Sequence, residues 1–276
     1  MSSHADDSDA DDSDAGEAVR RPATPQETVE ANRAWWDGEA GSYQADHGAF
    51  LGGAELVWGP EGLREADAGL LGPLEGLRVL EIGAGAGQGS RYVATAGGAA
   101  VATDLSVGML RTGQTAPPGV PMLTCDARAL PFADASFDVV FTAQGALPFV
   151  ADPELIMAEV ARVLRPGGRF ACSMPHPIRW AFPDVPGEGG LTATMSYFDR
   201  TPYVERTGGR TSYVEHHRTL GDRIRDLVAA GFVLVDLVEP EWPPGHDRVW
   251  GGWSPLRGRL LPGTAIFVAV RGDRRG

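Results

Sequence analysis

Between residues 78 and 174, short apolar runs take turns with stretches of helical character, and this alternation narrows the fold more than any other feature. Residues 78–82, 99–104, 121–125, 137–142 and 169–174 each read as a strand. Helical segments at about 89–96, 107–113 and 153–164 lie between them. Parallel strands need a crossover, and a helix supplies it. The pattern therefore predicts β-α-β units and an α/β, doubly wound, mostly parallel sheet.

The pattern changes after residue 174. Residues 175 to about 217 are rich in Pro, Gly, Trp and Tyr and show no clean period, so they read as an irregular, aromatic-rich insertion after the fifth strand. A helix at 219–230 and a strand at 232–238 follow. A second irregular stretch, 239–263, carries Trp242, Trp250 and Trp253 before a final strand at 264–270. Loops of this length are usually lids or binding elements. Upstream, Thr24-Pro25 is a cap followed by a first-turn proline. It should open a helix reaching toward Tyr43, with a glycine-rich break at Gly48, Gly52 and Gly53. Leu63, Ala66, Ala68, Leu70 and Leu71 predict a further helix over about 60–71, ended by Gly72-Pro73. Residues 23–72 thus form a helical cover on a domain spanning 23–276.

Residues 1–22 carry six Asp and Glu17 against Arg20 and Arg21, with no aromatic side chain. Such a segment buries too little apolar area to offset its ordering entropy and is expected to be a disordered acidic tail. The whole chain of 276 residues has a formal charge of −13 and 43% hydrophobic residues, enough for a sizeable core. All 24 basic residues are arginine. With no lysine there is no Schiff base, no P-loop lysine and no Tyr-x-x-x-Lys dehydrogenase pair. The acidic balance argues against nucleic acid as a partner. The apolar runs are too short for a membrane span. Cys125 and Cys172 fit no metal spacing, so no metal is expected, and they point to a reducing compartment, the cytoplasm. The sequence does not fix the oligomeric state.

The chemistry begins at Glu81-Ile82-Gly83-Ala84-Gly85-Ala86-Gly87, between a strand and a helix. Glycines there allow a tight turn and close approach to a ligand. They alternate instead of following G-x-G-x-x-G. Glu81 in the preceding strand would repel a pyrophosphate but accept hydrogen bonds from a cationic amino-acid group. Asp104 ends the second strand, 21 residues after Gly83, where a carboxylate can accept both ribose hydroxyls; the alternative is an N-cap for the next helix, a job Ser106 could also do. Asp126 follows the third strand, as an adenine-amino acceptor or a turn residue.

Segment 78–174 resembles the class I S-adenosylmethionine-dependent methyltransferases, in particular the small-molecule branch that includes ubiquinone- and menaquinone-biosynthesis-type enzymes. The resemblance rests on 79–87, on Asp104-Leu105-Ser106-Val107-Gly108-Met109-Leu110, on Asp126-Ala127-Arg128-Ala129-Leu130-Pro131-Phe132, on Phe137-Asp138-Val139-Val140 and on 163–169. It implies a Rossmann-like, seven-stranded sheet with the last strand antiparallel, and S-adenosyl-L-methionine across the strand carboxyl ends. It implies Glu81, Gly83, Gly85 and Gly87 near the methionine part, Asp104 on the ribose, and Asp126 with Ala127 near adenine. Leu105, Met109 and Gln144 complete the expected contacts, with Tyr43, Trp35 and Trp36 as a cover. Many relatives carry Leu-His-His after the fourth strand; this chain has Gln144-Gly145-Ala146-Leu147, so no histidine base carries over.

For the acceptor side, His176 follows the fifth strand and is the candidate base or orienting group. Arg179, Trp180, Tyr197, His216 and His217 are the further substrate candidates. Their neighbourhood reads as an aromatic pocket or lid, or as a small satellite core. The expected function is methyl transfer to a small-molecule acceptor. The alternatives are a non-catalytic S-adenosylmethionine-binding protein and a nicotinamide-dependent oxidoreductase.

Overall fold

The computed structural model describes residues 17–273. Its main sheet is built from β2 (Arg78–Ile82), β3 (Ala99–Asp104), β4 (Met122–Thr124), β5 (Phe137–Thr142), β6 (Leu164–Pro175), β9 (Phe232–Val238) and β10 (Thr264–Arg271). The order is β4-β3-β2-β5-β6-β10-β9, and β10 alone runs antiparallel to its neighbours. The expected seven-stranded, doubly wound architecture is therefore present. The order reverses between β2 and β5, and in open α/β sheets ligands bind beyond the strand carboxyl ends at such a switch point.

Buried apolar side chains make the central strands. All six residues of β5 are buried, as are four of the five of β2. One face packs Leu80, Ile82, Phe170 and Phe267 under α5 (Pro153–Val163) and α6 (Leu220–Ala229). The other packs Val79, Val139, Phe141 and Ile266 under Trp58, Leu71 and Leu74, beside α3 (Gln88–Thr95). A register shift between Phe137 and Val139 lets β6 start at Leu164, five residues before the expected strand.

Three expectations are corrected. First, the tail boundary at 22 is wrong: Glu17–Arg20 forms β1, antiparallel to Tyr203–Arg206, with Val19 on a small core of Ala31, Val204 and Val214. The remainder of the predicted tail, 1–16, lies outside the described residues. Second, α1 (Pro25–Leu51) runs through the predicted glycine break and stops only where Gly52 takes φ +76°. The predicted helix over 60–71 shrinks to α2 (Glu65–Ala68). There the buried Glu65 carboxylate accepts from Trp58 Nε1 (2.9 Å), Leu70 N (3.0 Å) and Leu71 N (2.7 Å), tying chain that would otherwise continue helically into a loop. Gly69 closes the helix in the left-handed conformation.

Third, the insertion contains a β-hairpin, β7 (Tyr203–Thr207) and β8 (Arg210–Glu215). Gly208 and Gly209 make the turn at φ +56° and +76°, which side-chain-bearing residues rarely adopt. Together β1, β7 and β8 form a second sheet. Beyond β9 the second irregular stretch holds one short helix, α7 (Pro255–Gly258). No described helix is long and apolar enough to cross a membrane.

Candidate functional site

A cavity opens at the carboxyl ends of β2, β3 and β5. Glu81, Gly83, Gly85, Asp104, Leu105, Met109, Asp126, Ala127, Gln144 and Tyr43 all line it. Gly87 does not. It sits at φ +75° as the N-cap of α3, and a Cβ there would meet Met122, so its glycine serves the turn. Gly83, at φ +65°, serves close approach: a Cβ would lie 3.2 Å from Ala146 N on the loop after β5.

Two buried carboxylates dominate the floor. Glu81 Oε2 accepts from Ser90 N at the start of α3 (2.6 Å), and burial pushes its pKa up to about 7. Asp104 accepts from Gly85 N through Oδ2 and from Ser106 N through Oδ1, both at 2.8 Å. Burial also raises its pKa, against those hydrogen bonds. The N-cap of α4 (Val107–Gly113) is Ser106, whose Oγ accepts from Met109 N (3.0 Å), which disposes of the capping alternative for Asp104. Asp126 lines the cavity with its carboxylate already held by Arg128, Nη2 to Oδ2 at 2.7 Å. Burial opposes ionisation there, but the Arg128 bonds win and keep its pKa below the usual range.

The rim formed by the loop after β5 is strained. Gln144 and Ala146 both adopt positive φ, +60° and +55°. Backbone in that region persists only where surroundings fix it, and it concentrates at functional sites. Gln144 N donates to Ser173 Oγ (3.0 Å) and its Nε2 to Trp58 O (2.8 Å). Helix α1 roofs the cavity, presenting Val29, Asn32, Trp36, Tyr43 and Gln44. Asp37 Oδ1 fastens that roof to α4 by accepting from Ser106 Oγ (2.6 Å) and Gly108 N (2.8 Å). The sequence reading missed Asp37 and Asn32, which have no local motif and acquire roles only through distant partners.

A second cavity of about 730 Å³ adjoins the first, between α1, the β1-β7-β8 sheet and the 175–184 and 250–253 loops. Arg179 and Trp180 line it. Trp36, Tyr43, Gln144, Phe149 and Trp250 face both cavities.

The other acceptor-side candidates are not in either lining. His176 is buried as the cap of a short 3₁₀ turn: its Nδ1 accepts from Ile178 N (3.1 Å) and its Nε2 lies 2.8 Å from Glu239 Oε1. His216 Nε2 meets Thr28 Oγ1 (3.1 Å), and His217 Nε2 meets Tyr197 O (2.7 Å). Burial lowers both pKa values to about 4, so these imidazoles are neutral. Tyr197 Oη accepts from Leu220 N (2.8 Å). These four residues tie the insertion to itself, to α1, to α6 and to the chain after β9. The histidine that does face the second cavity is His47, which the sequence reading passed over. Its ring stacks on Trp250 at 3.9 Å, and its Nδ1 lies 2.8 Å from Arg248 Nη2.

The first cavity fits a nucleoside with a cationic amino-acid arm. Glu81 is a buried carboxylate with no guanidinium bonded to it, Asp104 retains acceptor capacity beyond two amide bonds, and glycine backbone lines the approach. A doubly wound sheet with that site at its switch point defines a nucleotide-type cofactor domain.

The comparisons make it specific. The family described as "Methyltransferase domain" matches residues 80–172. A demethylmenaquinone methyltransferase of Mycobacterium tuberculosis is 32% identical over 239 residues, 84% of this chain and 88% of that protein. One from Renibacterium salmoninarum is 39% identical over 132 residues, 48% of this chain; the chain spans only 55% of that relative's length. The S-adenosylmethionine-dependent methyltransferase structure from Mesorhizobium loti superposes with a TM-score of 0.56 at 25% identity, covering 75% of this chain and 96% of that one. The chain belongs to the S-adenosylmethionine-dependent methyltransferases, and S-adenosyl-L-methionine is its cofactor. That membership sets aside the nicotinamide alternative.

Proposed function

We propose that this chain methylates a small molecule held in the second cavity, with the five residues common to both cavities forming the passage. That shared wall is the observation carrying the reading: a donor in one compartment and an acceptor in the other meet only there. Glu81 takes the cationic amino-acid end of the cofactor, Asp104 the ribose hydroxyls, and Asp126 with Ala127 flanks the base. When bound, the cofactor supplies a methyl carbon on positively charged sulfur, open to in-line displacement.

The chain's own part is positional. Asp37 clamps α1 over the cofactor, Gln144 is held rigidly at the passage by Ser173, Trp58 and Thr264, and the aromatic wall excludes water. Holding nucleophile and methyl at attack distance in a dry site supplies most of the acceleration. His176 is not given a proton-transfer role, since neither ring nitrogen reaches the cavity. The two unpaired thiols, Cys125 and Cys172, support a cytoplasmic setting.

The test is to incubate the protein with methyl-labelled cofactor and small-molecule cell extract and to follow label by mass spectrometry. A labelled small molecule formed only with active protein is the expected result. Cofactor binding without any labelled product from extracts of several growth conditions would instead favour a non-catalytic binder.

A further inference from the structure

The second cavity holds a charged group that the fold leaves incompletely satisfied. Glu215, at the end of β8, is 4% exposed and lines that cavity. Arg179 Nη1 donates to its Oε1 at 2.9 Å. Its Oε2 has only long contacts, Arg179 Nη2 at 3.4 Å and Tyr213 Oη at 3.5 Å. Asp184 stands 3.8 Å from Arg179 Nη2, and Glu205 accepts from Tyr203 Oη at 2.8 Å. Three carboxylates therefore share the lining with two guanidiniums, and Arg20, the second of these, is committed to Thr201 O and the Trp180 ring. Burial, together with Asp184, raises the Glu215 pKa against the pull of Arg179. A buried carboxylate oxygen without a short donor is costly, and a ligand hydroxyl or amine relieves that cost.

Its position is fixed against the passage. Asn32 bonds both backbone groups of Val214, accepting from its N–H and donating to its C=O, each at 2.9 Å. The same Asn32 amide donates to Phe149 O at 3.0 Å. On the other side of Glu215, His216 N donates to Pro148 O at 2.7 Å. Glu215 is thus pinned on both flanks to the segment that carries Phe149, one of the five residues facing both cavities. Tyr213 packs its ring 5.8 Å from Phe149 and 5.0 Å from Trp35, so the space beside this carboxylate is walled by aromatic faces.

We propose that Glu215, oriented by Arg179, receives the proton of a hydroxyl or amino group on a flat aromatic acceptor. The inference rests on the methyl-transfer reading and gives it a substrate class. In the step, the acceptor oxygen or nitrogen forms a bond to the methyl carbon of S-adenosylmethionine. The carbon–sulfur pair stays on sulfur, giving neutral S-adenosylhomocysteine, and the acceptor proton passes to Glu215 Oε2. One positive and one negative charge disappear together. Arg179 acts through Glu215, donating to both of its carboxylate oxygens, and is a positioning residue.

The test uses the full chain saturated with S-adenosylhomocysteine. Phenol, catechol, 1-naphthol and 2-aminophenol are each titrated against their methylated counterparts, read by tryptophan fluorescence. At least one parent arene is expected to bind about tenfold or more tightly than its methylated form. In Glu215→Gln this preference should fall below about threefold, with S-adenosylhomocysteine affinity unchanged. Turnover of that arene with methyl-labelled cofactor should drop about 10²-fold or more, and the acid limb of its pH profile should vanish. Should the single variant unfold, the double variant Arg179→Gln, Glu215→Gln strands no charge and is expected to show the same losses. Equal affinity for every parent and methylated pair, or an unchanged rate in the variants, overturns the proposal. Methylation of a prenylated naphthoquinol at ring carbon, with none of the arenes bound, overturns the hydroxyl or amino acceptor while leaving methyl transfer standing. Failure to bind S-adenosylhomocysteine at all overturns the methyl-transfer reading itself.

Discussion

The two cavities are built in opposite ways. The cofactor cavity is made at strand ends, by backbone of the glycine run and by carboxylates whose partners lie close in sequence or on the next strand. Asp104 is bonded to Gly85 and Ser106, and Glu81 to Ser90. The second cavity, which we propose for the acceptor, is made by side chains that meet across long sequence distances, such as Asn32 with Val214 and Arg179 with Glu215. One is a property of the sheet and should tolerate little change. The other is assembled from an amino-terminal arm and an insertion, and can be altered without touching the sheet.

The sharpest way to test this division is at the cofactor floor. Asp104→Ala should weaken S-adenosylhomocysteine binding by about 1.5–3 kcal/mol, because charge-assisted hydrogen bonds to a ribose are lost. Calorimetry that finds affinity within twofold of wild type would remove Asp104 from the site. Next comes pH. Glu81 in the cofactor-free protein holds a proton below about 7, and pairing with an ammonium group requires it to ionise. Binding therefore expels a proton below that value, and affinity should fall as pH drops, approaching tenfold per unit. In Glu81→Gln the slope should disappear; a slope that persists would assign the titration elsewhere.

Smaller effects come from the acceptor side. Removing residues 1–22 deletes β1, and it should lower the melting temperature by a few degrees, as expected for about 1–2 kcal/mol at this size. Cofactor affinity should stay within twofold, and removing only residues 1–16 should spare β1 and its pairing with β7. Equal melting temperatures for the two truncations would show that β1 contributes nothing. The smallest change concerns His176. Because it caps a turn and pairs with Glu239, His176→Gln should leave turnover within about threefold once an acceptor is in hand. A loss of 10² or more would restore it to the chemistry.

The division also explains what could be read in advance. The strands and the placing of Glu81 and Asp104 at strand ends were legible because each is encoded locally: an apolar run, a glycine turn, an acidic residue beside it. The hairpin was missed although Gly208-Gly209 sits between Val204-Glu205-Arg206-Thr207 and Thr211-Ser212-Tyr213-Val214, strand-prone runs around a two-glycine turn that is a recognised hairpin signal. The helix over 60–71 was over-read because periodicity carries no warning that one buried carboxylate, Glu65, will gather Trp58 and two backbone amides. His176 was placed correctly after the strand, but its side chain was directed by Glu239 and Ile178, and no spacing rule names such partners. Glu215 was passed over beside His216 and His217 because nothing local marks a glutamate in a stretch without a clear period as buried.

Residues 17–51 form one span in which β1 lines the second cavity and α1 lines both, latched at Asp37. A single covering piece over two chambers makes their traffic interdependent. An acceptor seated against Val19 and Arg20 holds the arm down, and the arm in turn holds down the helix over the spent cofactor. On the proposed reading the expected order of departure is the methylated product first and the spent cofactor last, once the Asp37 contacts part.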